Sequence, residues 1–202
     1  MYKIGFFLMS LSLLSGCAGN YVNANRIDET KALNNQHATV VGFVSEGYLT
    51  QPHGLNVLIK QEVKNTDETP TLVLLTTIGQ KDEVTSNNIL GNSFAYQIPA
   101  GTYDITSWYY YHYNGTSKNP EKPIKFSVKP GEIAYIGNIH GNALTMCLSN
   151  SDKYNESIST ITLAYPTLKN TKIINKSTEI QFSGWPHDNS TDVMGKGLCK
   201  TL

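Results

Sequence analysis

Residues 94–115, FAYQIPAGTYDITSWYYYHYNG, and residues 123–140, PIKFSVKPGEIAYIGNIH, decide the fold. Phe94, Tyr96 and Ile98 alternate with smaller or polar residues, the period-2 pattern of a half-buried strand. Pro99-Ala100-Gly101 then turns the chain, because Pro presets φ at a first turn position and Gly accepts a left-handed one. In the next strand Tyr103, Ile105, Ser107, Tyr109, Tyr111 and Tyr113 share one face. Thr102, Asp104, Thr106, Trp108, Tyr110 and His112 share the other, and Asn114-Gly115 ends the run. Ile124, Phe126 and Val128 alternate again, and Lys129-Pro130-Gly131-Glu132 places Pro and Gly at the central positions of a type II turn. Ile133, Tyr135 and Ile139 continue the alternation, with Gly137 in register as a bulge or a close approach.

Outward from this block, the N-terminal side reads as further strands. Thr39–Val44 is β-rich, and Leu55, Val57, Ile59 and Val63 are expected to face inward. Thr71–Ile78 is an unbroken apolar run, expected to be covered on both faces. Residues 65–70 read as a polar turn segment and residues 79–92 as a polar loop. On the C-terminal side the period changes: Tyr154, Ile158, Ile161 and Tyr165 fall on one helical face, with Ser151 or Asp152 as cap and Pro166 as terminator. Lys172–Ile174 and Glu179–Phe182 suggest short strands. The expectation is a mostly-β, antiparallel β-sandwich of seven to nine strands with one short helix in its C-terminal half.

Twelve Tyr and six Phe suit strands better than helices. The formal charge is zero, and the lysines form no stripe, which gives no footprint for nucleic acid. The N-terminus is different in kind. Lys3 precedes the apolar run Ile4–Leu14, which is too short to span a bilayer as a stable helix. It leads into Leu14-Ser15-Gly16-Cys17, which resembles the lipobox of bacterial lipoproteins at all four positions. The resemblance implies cleavage before Cys17, thioether attachment of diacylglycerol to its sulfur and acylation of its amine. The chain then divides into a signal peptide (1–16), a lipidated Cys with a flexible tether (17–37) and a single domain (38–202). Removing Lys3 from 16 basic residues against 16 acidic ones leaves the mature chain at −1. Ala18 follows the Cys where enteric-type sorting uses Asp for inner-membrane retention, so a Gram-negative source implies the outer membrane, facing the periplasm.

With Cys17 committed to lipid, Cys147 and Cys199 are expected to form a disulfide in an oxidising compartment; two free buried thiols are the alternative. The block P-A-G-T-Y (99–103) followed by V-K-P-G-E-I-A-Y-I-G (128–137) also resembles a class of bacterial lipoproteins with prealbumin-like or carboxypeptidase-regulatory-like domains. It covers about a quarter of the chain. Its motifs are turn and strand residues, so the resemblance implies a fold and transfers no site.

Catalytic chemistry is not evident, and no enzyme activity and no cofactor are expected. His37, His53, His112, His140 and His187 lack paired metal-ligand spacing and are expected in loops or at the surface. Asp104 and Glu132 make at most a generic carboxylate pair. Trp108-Tyr109-Tyr110-Tyr111-His112-Tyr113 must place aromatics on both faces of a strand. One set fills the core. The other, Trp108, Tyr110 and His112, either stacks on a ligand such as a sugar or lies covered between a second sheet and the helix. The reading is therefore a lipid-anchored, non-catalytic binding or scaffolding protein of the cell envelope. Its alternatives are a glycan- or peptidoglycan-binding module and an accessory lipoprotein of a secretion or assembly complex. Its partners are the membrane through Cys17 and an envelope protein or glycan.

Overall fold

A computed structural model describes residues 21–65, 67–80, 84–86, 88–188 and Cys199. The expected signal peptide, Cys17 and most of the C-terminal tail lie outside the described residues. In chain order the strands are β1 (Val22–Asn23), β2 (Asn25–Arg26), β3 (His37–Gly47), β4 (Leu55–Gln61), β5 (Thr71–Thr76), β6 (Val84–Ser86) and β7 (Ile89–Pro99). They continue with β8 (Gly101–Tyr110), β9 (Ile124–Val128), β10 (Ile133–Asn142) and β11 (Cys147–Ser151). Helix α1 (Tyr154–Ala164) precedes β12 (Ile173–Asn175) and β13 (Phe182–Pro186).

The strands form two sheets. One runs β1-β5-β4-β8-β9; the other runs β13-β11-β10-β3-β7-β2, with β12 added to β10 and β6 to β7. The two turns in the quoted stretch both carry the chain from one sheet to the other, at Pro99–Gly101 and at Lys129–Glu132. The second is the expected type II geometry: Gly131 has φ +72° and the Glu132 amide donates to Lys129 O at 3.1 Å. Apolar faces of both sheets meet in one core that includes Val40, Phe94 and Ile136 from the larger sheet and Leu55, Ile59 and Trp108 from the smaller. Burying side chains of this size contributes about 1.5–3 kcal/mol each, which makes this layer the main source of stability.

The pairing is mixed, where purely antiparallel sheets were expected. β3 lies parallel to β10, β10 parallel to β12, and β1 parallel to β5. The larger sheet is covered on its second face by α1. Val41, Ala95, Ile133 and Tyr135 pack there against Ile161, Tyr165 and Leu168. The helix follows the predicted face, and Leu163 on its other side is exposed. Its N-cap is Lys153, one residue beyond the expected Asp152, whose carboxylate accepts the Tyr154 amide at 3.0 Å. Pro166 opens a single 3-10 turn instead of a helical one.

Three local expectations change. β5 is covered on one face only: Val73 and Leu75 are buried while Leu74 is exposed. Residues 79–92 are not all loop, because Ile89–Asn92 begin β7 and pair with β3 and β6. Finally, Val22–Ile27 fall within the stretch expected as a tether, yet they are built into the fold. β1 joins the smaller sheet and β2 the larger, so this strap links the two. Arg26 locks it, donating to Tyr96 Oη (3.3 Å), Asn92 Oδ1 (2.9 Å) and Tyr165 Oη (3.2 Å).

Candidate functional site

The aromatic run of β8 does not present a ligand ladder. Opposite β4, Ser107 pairs with Leu58 and Ile105 with Ile59, so Thr106 has no cross-strand partner. That extra residue is a β-bulge, and a bulge resets which side chains face which way. Tyr103 and Ile105 point into the core ahead of it, and Trp108 and Tyr110 point into the same core behind it, each 0% exposed. His112 lies past the strand end and is exposed. Trp108, Tyr110 and His112 therefore do not share a solvent face, and the expected stacking surface is overturned. The covered reading is right that the rings are enclosed, but their cover is the second sheet; α1 packs on the other side of that sheet.

What the run does build lies at one end of the fold, called here the far end. β3 ends there at Gly47, β4 begins at Leu55, β8 ends at Tyr110 and β10 ends at Asn142. Glu46, the penultimate residue of β3, is an acid with 0% exposure. A carboxylate removed from water costs several kcal/mol unless its oxygens are satisfied. Here they accept the His53 amide (3.0 Å), the Gly54 amide (3.0 and 3.2 Å) and the Thr77 hydroxyl (2.6 Å). Thr77 Oγ1 in turn accepts the Leu55 amide at 2.9 Å. One side chain thus ties the larger sheet to the loop 48–54 and to the end of β5 in the smaller sheet.

Above this clamp sits a cluster of rings. His53 meets Tyr110 edge-on at 5.8 Å and Tyr113 at 5.9 Å, and Trp108 meets Tyr110 at 5.6 Å and His187 at 5.3 Å. Burial pushes the Tyr110 phenol far up, with the Glu46 charge adding to the effect. His187, expected in a loop or at the surface, follows the last strand but is fully buried, and burial lowers its pKa. His140 is half-buried on β10 with Nδ1 2.9 Å from Ser45 Oγ, and burial, then Lys153, lowers its pKa as well. Outside the rings the far end is apolar and open: Leu49 is 66% exposed and Tyr111 67%, and Tyr113 and Leu144 are exposed too. The loops carrying them are stitched together by Tyr111 N to Gly54 O (2.8 Å), His112 N to His53 O (3.0 Å) and Ala143 N to Gly47 O (2.9 Å).

Elsewhere the residues have structural employment. Asp104 accepts the Ile124 amide at 3.1 Å, whereas Glu132 pairs with Lys176 at 3.3 Å, so these acids have different partners on different sheets. An open groove of about 300 Å³ at the opposite end is lined by Arg26, Asp28, Lys31, His37 and Gln97. Its charges are engaged within it: Lys31 pairs with Asp28 at 2.9 Å, and the Thr30 hydroxyl and Lys31 hold the Asp28 carboxyl well below its usual range. Among the described residues no three His, Cys, Asp or Glu side chains are grouped to hold a metal. Cys147 and Cys199 are at disulfide distance, with Cα atoms 5.5 Å apart.

Sequence reasoning missed Glu46 because its partners are mainly backbone amides, which carry no residue signature. The one available signal was a lone acid at an inward position of an otherwise apolar strand. No protein-family model, curated protein or solved structure matches this chain.

Proposed function

We propose that this chain is a lipid-anchored, non-catalytic lipoprotein of the bacterial cell envelope. Its two sheets form a sandwich of the prealbumin- or immunoglobulin-like kind, and it binds or scaffolds another envelope component through its far end. The observation that carries the anchor is the sequence Leu14-Ser15-Gly16-Cys17 after an apolar run of h-region length. Several acyl chains at about 0.8 kcal/mol per buried methylene make a lasting attachment. The binding role is supported by the position of the exposed apolar side chains. Leu49, Tyr111, Tyr113 and Leu144 stand on loops that backbone hydrogen bonds hold together, at the end away from the strap. Aromatic side chains on a fixed frame give contact area with little loss of conformational entropy. In a Gram-negative source the absence of Asp after Cys17 directs the protein to the outer membrane, facing the periplasm.

Cys17→Ser tests the anchor. The variant is expected to leave the membrane fraction and to lack acyl mass on its N-terminal peptide; continued membrane partition with that mass present would reject the reading. A photo-crosslinker at Tyr111 in intact envelopes tests the role. A discrete adduct is expected there, and none from any exposed far-end position would count against a binding function.

A further inference from the structure

The strap fixes how far the domain stands from its anchor. Val22 is already docked: its amide donates to Pro70 O at 3.0 Å, and the Ala24 amide follows with Leu72 O at 2.8 Å. Ile27 N to Ala95 O (3.0 Å) and the three Arg26 hydrogen bonds complete the attachment. Between Cys17 and Val22 there are five backbone steps, which reach at most about 17 Å at full extension. The headgroup layer of one leaflet accounts for about 6 Å, half the difference between total and hydrocarbon thickness.

The direction of the strap is also set. β1 runs parallel to β5 and enters beside Thr71, the first residue of that strand. The chain therefore rises from the near end, which among the described residues includes 62–65, 67–70, 99–101, 129–132 and 169–172. Tyr21 and Val22 are exposed apolar side chains at this entry point, 56% and 58% exposed. Tyr is a residue of membrane–water interfaces, where one side is apolar and the other wet. The adjoining loops carry Lys64, Lys129, Lys169 and Lys172 against Glu62, Asp67, Glu68 and Glu132, a balance that neither repels nor specifically selects an anionic surface.

We infer that the near end is a lipid-facing surface. This inference rests on the lipid-anchor reading above. Held on a five-residue leash, Tyr21, Val22 and residues 62–65 and 67–70 rest on the headgroups of the bilayer that takes the acyl chains of Cys17. β3 spans the fold in eleven residues, about 33 Å at strand rise, so the far end with Leu49 and Tyr111 points away from that bilayer. The domain stands upright at a fixed height, where a twenty-residue tether would have let it tumble.

The test uses the full lipidated chain in phosphatidylcholine vesicles containing an acceptor-labelled lipid. A donor fluorophore is placed at the near end in Lys64→Cys or at the far end in Leu49→Cys, both exposed positions. Energy transfer is expected to be several-fold higher from position 64 than from position 49. Inserting a twelve-residue Gly-Ser linker between Asn20 and Tyr21, about 19 Å in r.m.s. length, is expected to remove that difference. Equal transfer from both positions in the unextended chain, or a difference that survives the linker, would overturn the inference. Failure of the unextended chain to float with vesicles would be recognisably different: it would reject the anchor itself, and the inference with it.

Discussion

Replacing Glu46 is the sharpest test of how the far end is built. In Glu46→Leu the side-chain volume is retained, but the His53 and Gly54 amides and the Thr77 hydroxyl lose their acceptor. Apolar replacement of a buried ion pair is often neutral, because both charged partners can be removed together. That escape is closed here, since two of the three donors belong to the backbone and stay in place. Each hydrogen bond to a charged group contributes about 1.5–3 kcal/mol, and each orphaned buried donor costs about 1–3 kcal/mol. Relief from carboxylate desolvation offsets part of this, several kcal/mol at most. The net loss is about 2–4 kcal/mol for Glu46→Leu. It is about 1–3 kcal/mol for Glu46→Gln, which keeps one carbonyl acceptor but turns an amide NH₂ toward the remaining donors. With a urea m-value of about 2 kcal/mol/M, the Glu46→Leu loss moves the midpoint by about 1–2 M at constant m. Amide hydrogen exchange should localise the effect, with His53 and Gly54 exchanging faster than the β10 amides. Unchanged midpoints in both variants, or unchanged exchange at His53 and Gly54, would refute the clamp.

Other outcomes follow from the same coordinates. Gly137 has φ +115° in β10, and a Cβ there would lie 2.1 Å from Asn150 Oδ1. Gly137→Ala should therefore cost over about 3 kcal/mol, whereas Gly79→Ala, with φ +73° and no atom within 4 Å, should cost about 1–2 kcal/mol from backbone strain alone. Equal losses in urea titrations would show that the Asn150 contact is not limiting. Burial lowers the pKa of His140 and His187 below the ordinary 6.5. The unfolded chain then binds more protons near that pH, so the stability these residues contribute is present above pH 6.5 and is lost as pH falls below it. Urea midpoints from about pH 7.5 to about pH 5.5 should decline, and less steeply in the His140→Asn/His187→Asn variant; a flat wild-type profile would contradict the burial. Cys147→Ser should lose about 2–4 kcal/mol from opening a loop with a sequence separation of 52. The exported wild-type protein should be lighter than its reduced form by two hydrogens, and finding two free thiols in the non-reduced protein would reject the bond.

Local chemistry made much of the frame legible. Pro99–Gly101 and Lys129–Glu132 were readable because a turn states its own dihedral requirements in four residues. The helix was readable because Ile158, Ile161 and Tyr165 repeat at helical period. The parallel pairing of β3 with β10 was not, because no residue in either strand encodes which distant strand lies beside it. The start of β7 looked like loop for a related reason. Gly91 and Asn92 are poor strand formers taken alone. In place, a Cβ at Gly91 would lie 2.7 Å from that of Ser45, so the position needs the missing side chain. Asn92 is satisfied by Arg26 at 2.9 Å and by Thr76 O at 2.8 Å. Tertiary partners override propensity at both positions.

The same distinction explains why the site was misplaced. Period-2 reasoning fixes which side chains share a face only as far as the strand stays in register. From Gly101 to Ile105 it worked: Tyr103 and Ile105 are inward, as alternation requires. At Thr106 one unpaired residue inverted every assignment downstream, which turned Trp108 and Tyr110 from a proposed ligand face into core. Nothing in Thr106-Ser107 announces a bulge, since neither residue is Gly and both are ordinary in strands. The inversion also transfers the aromatic surface to later residues. With Tyr110 facing in, Tyr111 and Tyr113 beyond the strand end are the tyrosine rings left in solvent, beside a loop that buried Glu46 holds in place. The aromatic run thus supplies core rings up to Tyr110 and exposed ones after it: register past the bulge sets the first group, and the end of the strand releases the second.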